Sequence, residues 1–326
     1  MSSKAAIFAV FLIVACSPYL PPDWIRYYPT GANTAVVGPT SVLSSNDSLV
    51  FQTQLNFLDL EGHYDIGGIQ QNELAFTSPG IYKIHGFSEA EISGVHNPAV
   101  MILEDESGNY DSLDPLNYRS KMINQAVQDI ATYGSFIVGG YSTGGKINAP
   151  AEFGSSAFSS DWASQQTFIY GLSQKTGGKS SLYDALFNAL TFFDQEDSGN
   201  KNIVVLAHAT DAASASTAQT IIDNANTAHV KIHVLFLGDA NNVGSLAQLS
   251  ALTGGYLSVL TDKREMITTF AQLSRLISGD SHIYVLTVSY RPLSGGLTGD
   301  ITHTLAVLDF TDGKYYNPLL IYTRLP

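Results

Sequence analysis

Hydrophobic positions along the chain change their period twice. Between residues 35 and 92 they alternate. In Ser48–Leu60, Leu49, Phe51, Leu55 and Phe57 fall on one side and Gln52 and Gln54 on the other, which predicts a half-buried strand. Glu61-Gly62, Gly67-Gly68 and Pro79-Gly80 are turn signals that separate it from further short strands at Tyr64–Ile69, up to Phe76, and at Ile81–Ile84. From Ala99 onward, apolar runs take turns with helical spacing. Strands are predicted at Ala99–Leu103, Ser135–Tyr141, Asn202–Ala207, Val230–Gly238 and Tyr256–Leu260. Helices are predicted at Arg119–Thr132, Ser160–Leu172, Leu182–Phe193, around Ala218–Ala225, at Val243–Leu252 and around Met266–Ile277. The clearest is Leu182–Phe193, where Leu182, Ala185, Leu186, Ala189, Leu190 and Phe193 make one stripe. After Gly279 alternation returns, in His282–Tyr290 and Thr302–Phe310, then the Asp312-Gly313 turn and a last strand at Leu319–Tyr322.

Strands alternating with helices imply an α/β fold with a doubly wound, mostly parallel sheet. The alternating stretches before and after it imply a flanking β-sandwich built from N- and C-terminal strands, with the α/β domain inserted between its halves. The expected units are a β module at 31–95, the α/β domain at 96–279 and C-terminal strands at 280–326. The run Ala99–Leu103 leads into Asp105-Glu106-Ser107-Gly108-Asn109. A polar turn at the carboxyl end of a buried parallel strand lies where open α/β sheets bind ligands.

Charge and cysteine usage narrow the function. Sixteen Lys+Arg against 29 Asp+Glu give a net charge of -13, which lacks the basic footprint of a nucleic-acid binder and does not favour adsorption to anionic lipid. The single cysteine is Cys16. It follows one lysine and the apolar run Ala5–Ala15, which is too short to span a bilayer but fits a signal-peptide core. The ending Ile13-Val14-Ala15-Cys16 resembles the lipobox of bacterial lipoproteins. That resemblance implies removal of residues 1–15, acylation of Cys16, and a Pro- and Tyr-rich tether over 16–30. Ser17, rather than aspartate, after the cysteine favours the outer membrane.

The order of features across residues 99–256 resembles a von Willebrand factor type A domain. Asp105-Glu106-Ser107-Gly108-Asn109 is similar to that family's D-x-S-x-S, and Gly177–Leu186, GGKSSLYDAL, to G-G-T-x-L-Y-x-A-L. Ile203–Asp211, IVVLAHATD, resembles V-V-L-L-T-D-G-x-D. Lys231–Gly238 and Leu249–Tyr256, the latter LSALTGGY, match the following strand and helix end. Leu55–Phe76 also resembles the small β module that precedes this domain in bacterial envelope proteins. The resemblance implies a binding module for a protein partner. It also implies a divalent cation, Mg²⁺ or Mn²⁺, held by Asp105, Ser107, Asn109, Ser180, His208 and Asp211. Asn109 stands for a serine and Ser180 for a threonine, so both keep an oxygen. His208 stands where the family has aspartate, and imidazole is a poor ligand for Mg²⁺. Two readings follow: a retuned site taking Mn²⁺ or Zn²⁺ through His208, or a retained fold whose site is lost, with His208 bonded to Asp105. The resulting expectation is a lipid-anchored envelope protein that binds or scaffolds a partner, is not an enzyme, and has weakened or lost metal dependence.

Two motifs suggest other classes. Gly140-Tyr141-Ser142-Thr143-Gly144 matches the nucleophile elbow of a serine hydrolase, but the following Gly144–Pro150 has the composition of a loop where an elbow needs a helix. Gly178-Lys179-Ser180 lacks the preceding glycine of a phosphate loop, since Ser173 holds that position. The eight histidines include no H-E-x-x-H motif.

Overall fold

The computed structural model describes residues 32–58, 68–93, 97–107, 114, 118–149, 158–172, 178–208, 211, 213–263, 265–279, 281–307 and 315–325. Cys16, the tether, Asn109 and the Asp312-Gly313 turn lie outside these residues. Among the described residues no helix is long and apolar enough to cross a membrane.

β5 (Ala99–Asp105) is buried along its whole length. It pairs in parallel with β6 (Ser135–Tyr141) on one side and β8 (Lys201–Ala207) on the other. Beyond β8 come β9 (Val230–Leu237) and the short β10 (Leu257–Leu260), also parallel. Beyond β6, the two-residue β7 (Ile147–Asn148) turns back antiparallel. Side chains of β5 alternate between two apolar layers. Ala99, Met101 and Leu103 pack with α3 (Leu182–Leu190), α4 (Ala218–Thr227) and α5 (Ser245–Thr253). Val100 and Ile102 pack with α1 (Tyr118–Ala131), α2 (Trp162–Leu172) and α6 (Glu265–Ser278). With helices on both faces, the strand can be apolar throughout, and each fully buried aliphatic side chain contributes roughly 1.5–3 kcal/mol.

The N- and C-terminal strands widen this sheet. β1 (Ala32–Ser44) pairs antiparallel with β10 and with β2 (Leu49–Leu58), which pairs with β11 (Ser281–Arg291), which pairs with β4 (Ile81–Ile92). The described sheet runs β4-β11-β2-β1-β10-β9-β8-β5-β6-β7, and β13 (Tyr315–Tyr316) adds to β1. A second sheet, β14-β12-β3, is formed by Leu319–Arg324, Asp300–Val307 and Leu74–Phe76. Between it and the antiparallel wing lies a third core containing Leu49, Phe51, Leu55, Phe57, Leu286, Val288, Leu305 and Ile321. The flanking sandwich therefore draws on both ends of the chain, and its larger sheet is continuous with the parallel one.

Local chemistry explains where elements depart from the sequence reading. β1 accommodates Gly38-Pro39 because its register with β2 shifts between Val37 and Thr40, and a bulge tolerates a proline that cannot donate to the ladder. β4 continues from Ile84 to Ile92 across a register shift with β11; it is an edge strand, its ladder with β11 holds it, and Phe87, Ala90 and Ile92 pack partly buried against the core. The helix expected over Leu182–Phe193 is α-helical to Leu190 and tightens to a 3₁₀ turn over Thr191–Phe193. At the T-G-G-x-Y segment, Gly254 ends α5 in the left-handed region at φ 75°. Gly255 passes so close to β9 that a Cβ there would lie 1.9 Å from the Ile232 carbonyl oxygen.

Candidate functional site

In a doubly wound sheet the chain leaves the two strands on either side of the reversal point in opposite directions, which opens a crevice at their carboxyl ends. Here those strands are β5 and β8. Asp105 is the last residue of β5, and His208 follows the last residue of β8. His208 Nδ1 lies 3.2 Å from Asp105 Oδ2, with both side chains almost fully buried. The other carboxylate oxygen of Asp105 accepts from the Ser107 backbone N–H at 2.8 Å, which curls the chain tightly after the strand.

The third loop reaches this end through β6. The Ser181 N–H donates to the Ser142 carbonyl at 3.3 Å, and the Gly144 N–H donates to Ser181 Oγ at 2.9 Å. Thr143 Oγ1 donates to the Lys179 carbonyl at 3.1 Å and accepts from the Lys179 N–H at 2.7 Å. The 178–181 loop is thereby fastened above the carboxyl end of β6, next to β5. Ser107 and Ser180 are both buried. Asp105 Oδ2, Ser107 Oγ and Ser180 Oγ are buried side-chain oxygens with no hydrogen-bond partner among the described residues. Leaving one such group unsatisfied costs about 1–3 kcal/mol; Asp105 Oδ2 faces the His208 imidazole, and the two serine hydroxyls left at this sheet end fit a bound ligand better than bare packing. Such oxygens suit a cation. Because hydroxyls make up much of this set, no group of three His, Cys, Asp or Glu side chains is placed to hold a metal among the described residues.

Asp211 is committed elsewhere. Its Oδ1 accepts from the Tyr183 N–H at 3.3 Å and from Ser214 Oγ at 2.6 Å, and its Oδ2 accepts from the Ser214 N–H at 3.0 Å. Asp184 returns the arrangement by accepting from the Ala215 and Ser216 N–H groups at 3.0 and 2.9 Å. Those two backbone donors hold the Asp184 carboxyl below its ordinary range. Together the two aspartates clasp the start of α3 to the loop after β8, and the acidic residue at the start of α3 also suits the helix dipole. The structure thus brings Asp105, Ser107, Ser180 and His208 to one end of the sheet and turns the carboxylate of Asp211 toward the helix.

A buried ion network beneath Asp105 is absent from the site expected on sequence. Arg119 is fully buried on α1. Its Nε lies 3.1 Å from Asp114 Oδ2 and 3.6 Å from Glu104 Oε1, and its Nη1 donates to the Asp105 carbonyl at 2.9 Å. Asp114 also accepts from the Tyr118 and Arg119 N–H groups at 2.8 and 3.0 Å, satisfying donors that a helix start leaves open. The available signal was Asp114-Pro115 ahead of a helical stripe, a helix-start pattern. Ser142 sits ahead of a 3₁₀ turn, Thr143–Gly145, and then β7. The supporting helix that a nucleophile elbow requires does not follow it.

His233 and His303 are structural. His233 Nδ1 accepts from the Tyr256 N–H at 3.1 Å and its Nε2 faces Asn202 Oδ1 at 3.0 Å, so Nε2 carries the proton. Burial, with a smaller push from Lys231, lowers its pKa to about 3. His303 joins Tyr82 OH and Thr323 Oγ1, each at 3.0 Å, and stacks on Phe51. Burial lowers its pKa to about 4.

No family model matches the sequence, and no curated protein matches it. Solved structures do. A von Willebrand factor type A protein from Catenulispora acidiphila is 12% identical with a TM-score of 0.46, over 91% of this chain and 75% of that one. Proximal thread matrix protein 1 from the mussel byssus, with a zinc-occupied MIDAS motif, is 13% identical with a TM-score of 0.45. That match covers 63% of this chain and 49% of the mussel protein, so the chain spans about half the mussel protein's length. An aerotolerance-related membrane protein from Bacteroides fragilis is 13% identical with a TM-score of 0.42, over 56% of this chain and 98% of that one. The sheet β7-β6-β5-β8-β9-β10, three helices on each face and an Asp-x-Ser turn at its reversal point make up the doubly wound α/β fold that the sequence resemblance to a von Willebrand factor type A domain implies.

Proposed function

We propose that this chain is a lipid-anchored protein of the bacterial envelope whose α/β domain binds or scaffolds a protein partner. Residues 1–15 act as signal peptide, Cys16 carries the lipid, and 16–30 form a tether, with the outer membrane as its place. The contact surface is the rim made by Asp105–Ser107, Thr143–Gly145, Lys179–Ser181 and His208–Asp211. The observation that carries this reading is the pair of buried hydroxyls without hydrogen bonds among the described residues at the reversal point of the sheet, Ser107 Oγ and Ser180 Oγ. Strand ends there are the ordinary ligand position of the architecture. Exposed Thr143 and Lys179 would meet the partner first. A Mg²⁺-bridged contact is not the chemistry we propose, because His208 replaces an anionic oxygen with an imidazole.

Photo-crosslinkers placed singly at Thr143 and Lys179 on the rim, and at Thr132 and Asp197 at the opposite end of the sheet, test the surface in the native cell. A discrete adduct is expected from the rim positions alone; equal labelling at both ends removes the proposal. Cys16→Ser tests the anchor, and should move the chain from the membrane fraction to the soluble one.

A further inference from the structure

We infer that a cavity at the seam between the antiparallel wing and the parallel sheet binds a small organic carboxylate, with Lys231 as its counter-ion. The cavity has a volume of about 200 Å³ and lies at the amino ends of β8 and β9, the end of the sheet opposite the rim. β1, β2 and β4 of the wing supply Pro39, Gln54 and Ile92 to its wall. β9 supplies Lys231, the residue before β10 is Tyr256, and α6 closes the space with Leu276. Neither the wing nor the α/β unit encloses it alone. Its aromatic side is closely built. The Tyr256 ring stacks on His233 with centroids 5.5 Å apart, and it passes over Gly38, where a Cβ would lie 2.6 Å from the ring. At about 30 Å³ per water, the space holds roughly seven waters or a small organic body of that size, less than a drug-sized ligand needs.

The polar groups of the wall divide into those already bonded and those still able to donate. His233 and Asn202 bond each other at 3.0 Å, His233 accepts from the Tyr256 N–H at 3.1 Å, and Asn202 donates to the Asn200 carbonyl at 2.8 Å. Lys231 stands at the mouth, exposed on one side, and has no ion pair or hydrogen bond among the described residues. In a chain where acids outnumber Lys and Arg 29 to 16, that leaves one cation without an answering charge. Desolvation by its surroundings holds the Lys231 amine below its ordinary range, a shift that an anion beside it would reverse. Gln54 Nε2 has no hydrogen bond among the described residues, and Tyr256 OH reaches Gln54 Oε1 only at 3.5 Å. Burial raises the Tyr256 pKa, so its hydroxyl stays a donor. An ammonium, an amide N–H and a phenol O–H thus share one cavity whose described lining contains no carboxylate. These are the groups that bind a carboxylate, and Pro39, Ile92 and Leu276 match the hydrocarbon behind it. A cationic ligand would meet Lys231, and a wholly polar anion would leave the apolar wall uncovered.

The test uses the full-length chain, with benzoate and hexanoate as probes and benzamide and hexylamine as neutral and cationic controls. Binding is followed by saturation-transfer NMR on the probe and by calorimetry, for the wild type, Lys231→Met, Lys231→Arg and Ile92→Trp. Lys231 is exposed and Ile92 ends an edge strand, so these changes spare the main core; circular dichroism checks that each variant folds. The wild type is expected to bind at least one of the carboxylates at one site per chain, and to bind benzoate at least about tenfold more tightly than benzamide. Lys231→Met should weaken carboxylate binding by about tenfold or more, the loss of one charge-assisted bond, while Lys231→Arg stays within about threefold of wild type. Ile92→Trp fills the apolar end and should abolish binding with Lys231 still present. No binding of either carboxylate by the folded wild type, or equal affinity for benzoate and benzamide, overturns the inference. So does a carboxylate affinity unmoved by Lys231→Met or by Ile92→Trp.

Discussion

Removing the guanidinium under the candidate site should unfold more than it disables. Arg119→Met keeps an unbranched apolar stem of similar reach and deletes only the charged head. Three contacts disappear with it: the 3.1 Å pair with Asp114, the 3.6 Å approach to Glu104 and the 2.9 Å hydrogen bond to the Asp105 carbonyl. Asp114 is then a carboxylate at 1% exposure without its counter-ion, and Glu104 at 0% exposure loses the positive charge beside it. Breaking one buried ion pair from one side costs about 3–5 kcal/mol, because the surviving charge is stranded rather than because the pair was strong. A charge-assisted bond to the carbonyl contributes a further ~1.5–3 kcal/mol, though the terms share one side chain and do not add fully. Against a total stability of about 5–15 kcal/mol for a domain, a loss of roughly 4 kcal/mol is severe.

Urea unfolding followed by tryptophan fluorescence and far-UV dichroism measures it. With a slope of about 3 kcal/mol/M, the midpoint should fall by about 1 M or more. Asp114→Asn removes the stranded charge, so Asp114→Asn/Arg119→Met should be less destabilised than the two single changes summed, by at least about 1 kcal/mol. A midpoint shift below about 0.3 M for Arg119→Met, or strict additivity of the pair, would mean that the ion network does not hold this end of β5.

Other outcomes follow from the same geometry. Asp211→Ala should cost about 1–2 kcal/mol by freeing the start of α3, read as a lower urea midpoint; an unchanged midpoint would mean that its bonds to Tyr183 and Ser214 do not hold the helix start. Gly255→Ala should lower the midpoint far more than Gly254→Ala, since its Cβ would lie 1.9 Å from a backbone oxygen whereas Gly254 faces open space and bears only left-handed strain. Acid should destabilise the chain through His303 and His233. Both are held neutral in the fold, at about 4 and about 3, against 6.5 unfolded, so the unfolded chain binds more protons below pH 6.5. Their contribution is complete above pH 6.5, declines as pH falls below it, and levels off beneath the folded values. At 1.36 kcal/mol per unit, His303 accounts for roughly 3 kcal/mol of that decline. His303→Gln should flatten the profile between pH 6.5 and 4; an unchanged slope would show that other groups govern it.

What the sequence disclosed about the fold depended on how completely each strand is buried. β5, β8 and β9 lie between two helix layers, so each contains a buried apolar run, Ala99–Leu103, Ile203–Ala207 and Val234–Leu237, and their positions could be read directly. β4 is an edge strand whose apolar residues beyond Ile84, namely Phe87, Ala90 and Ile92, are only partly buried and follow a register shift with β11, so no single alternating period runs through it. β1 was hidden by Pro39, because a proline argues against a strand until the bulge that excuses it is seen. Continuity between the wing and the parallel sheet rests on the Val37–Leu257 pairing, a contact between residues 220 positions apart that no local pattern encodes.

The candidate site divides along the same line. Residues next to a strand end were legible, since Asp105, Ser107 and His208 are placed by β5 and β8 alone. Asp211 was misleading for the opposite reason: its position after β8 suits a ligand, but its carboxylate is taken by the start of α3, and only the fold brings Tyr183 and Ser214 to it. Arg119 lay beyond reach because a lone arginine on a helix ordinarily faces water. Its burial follows from Glu104, a fully buried acid that with Asp105 follows the apolar run Ala99–Leu103 in β5 and needs a cation from the helix above it. A charged residue closing an apolar run is therefore a sequence signal for a partner on the covering helix. Here the helix supplies Arg119, and Arg119 supplies the bond to the Asp105 carbonyl that keeps this end of β5 in place beneath the rim.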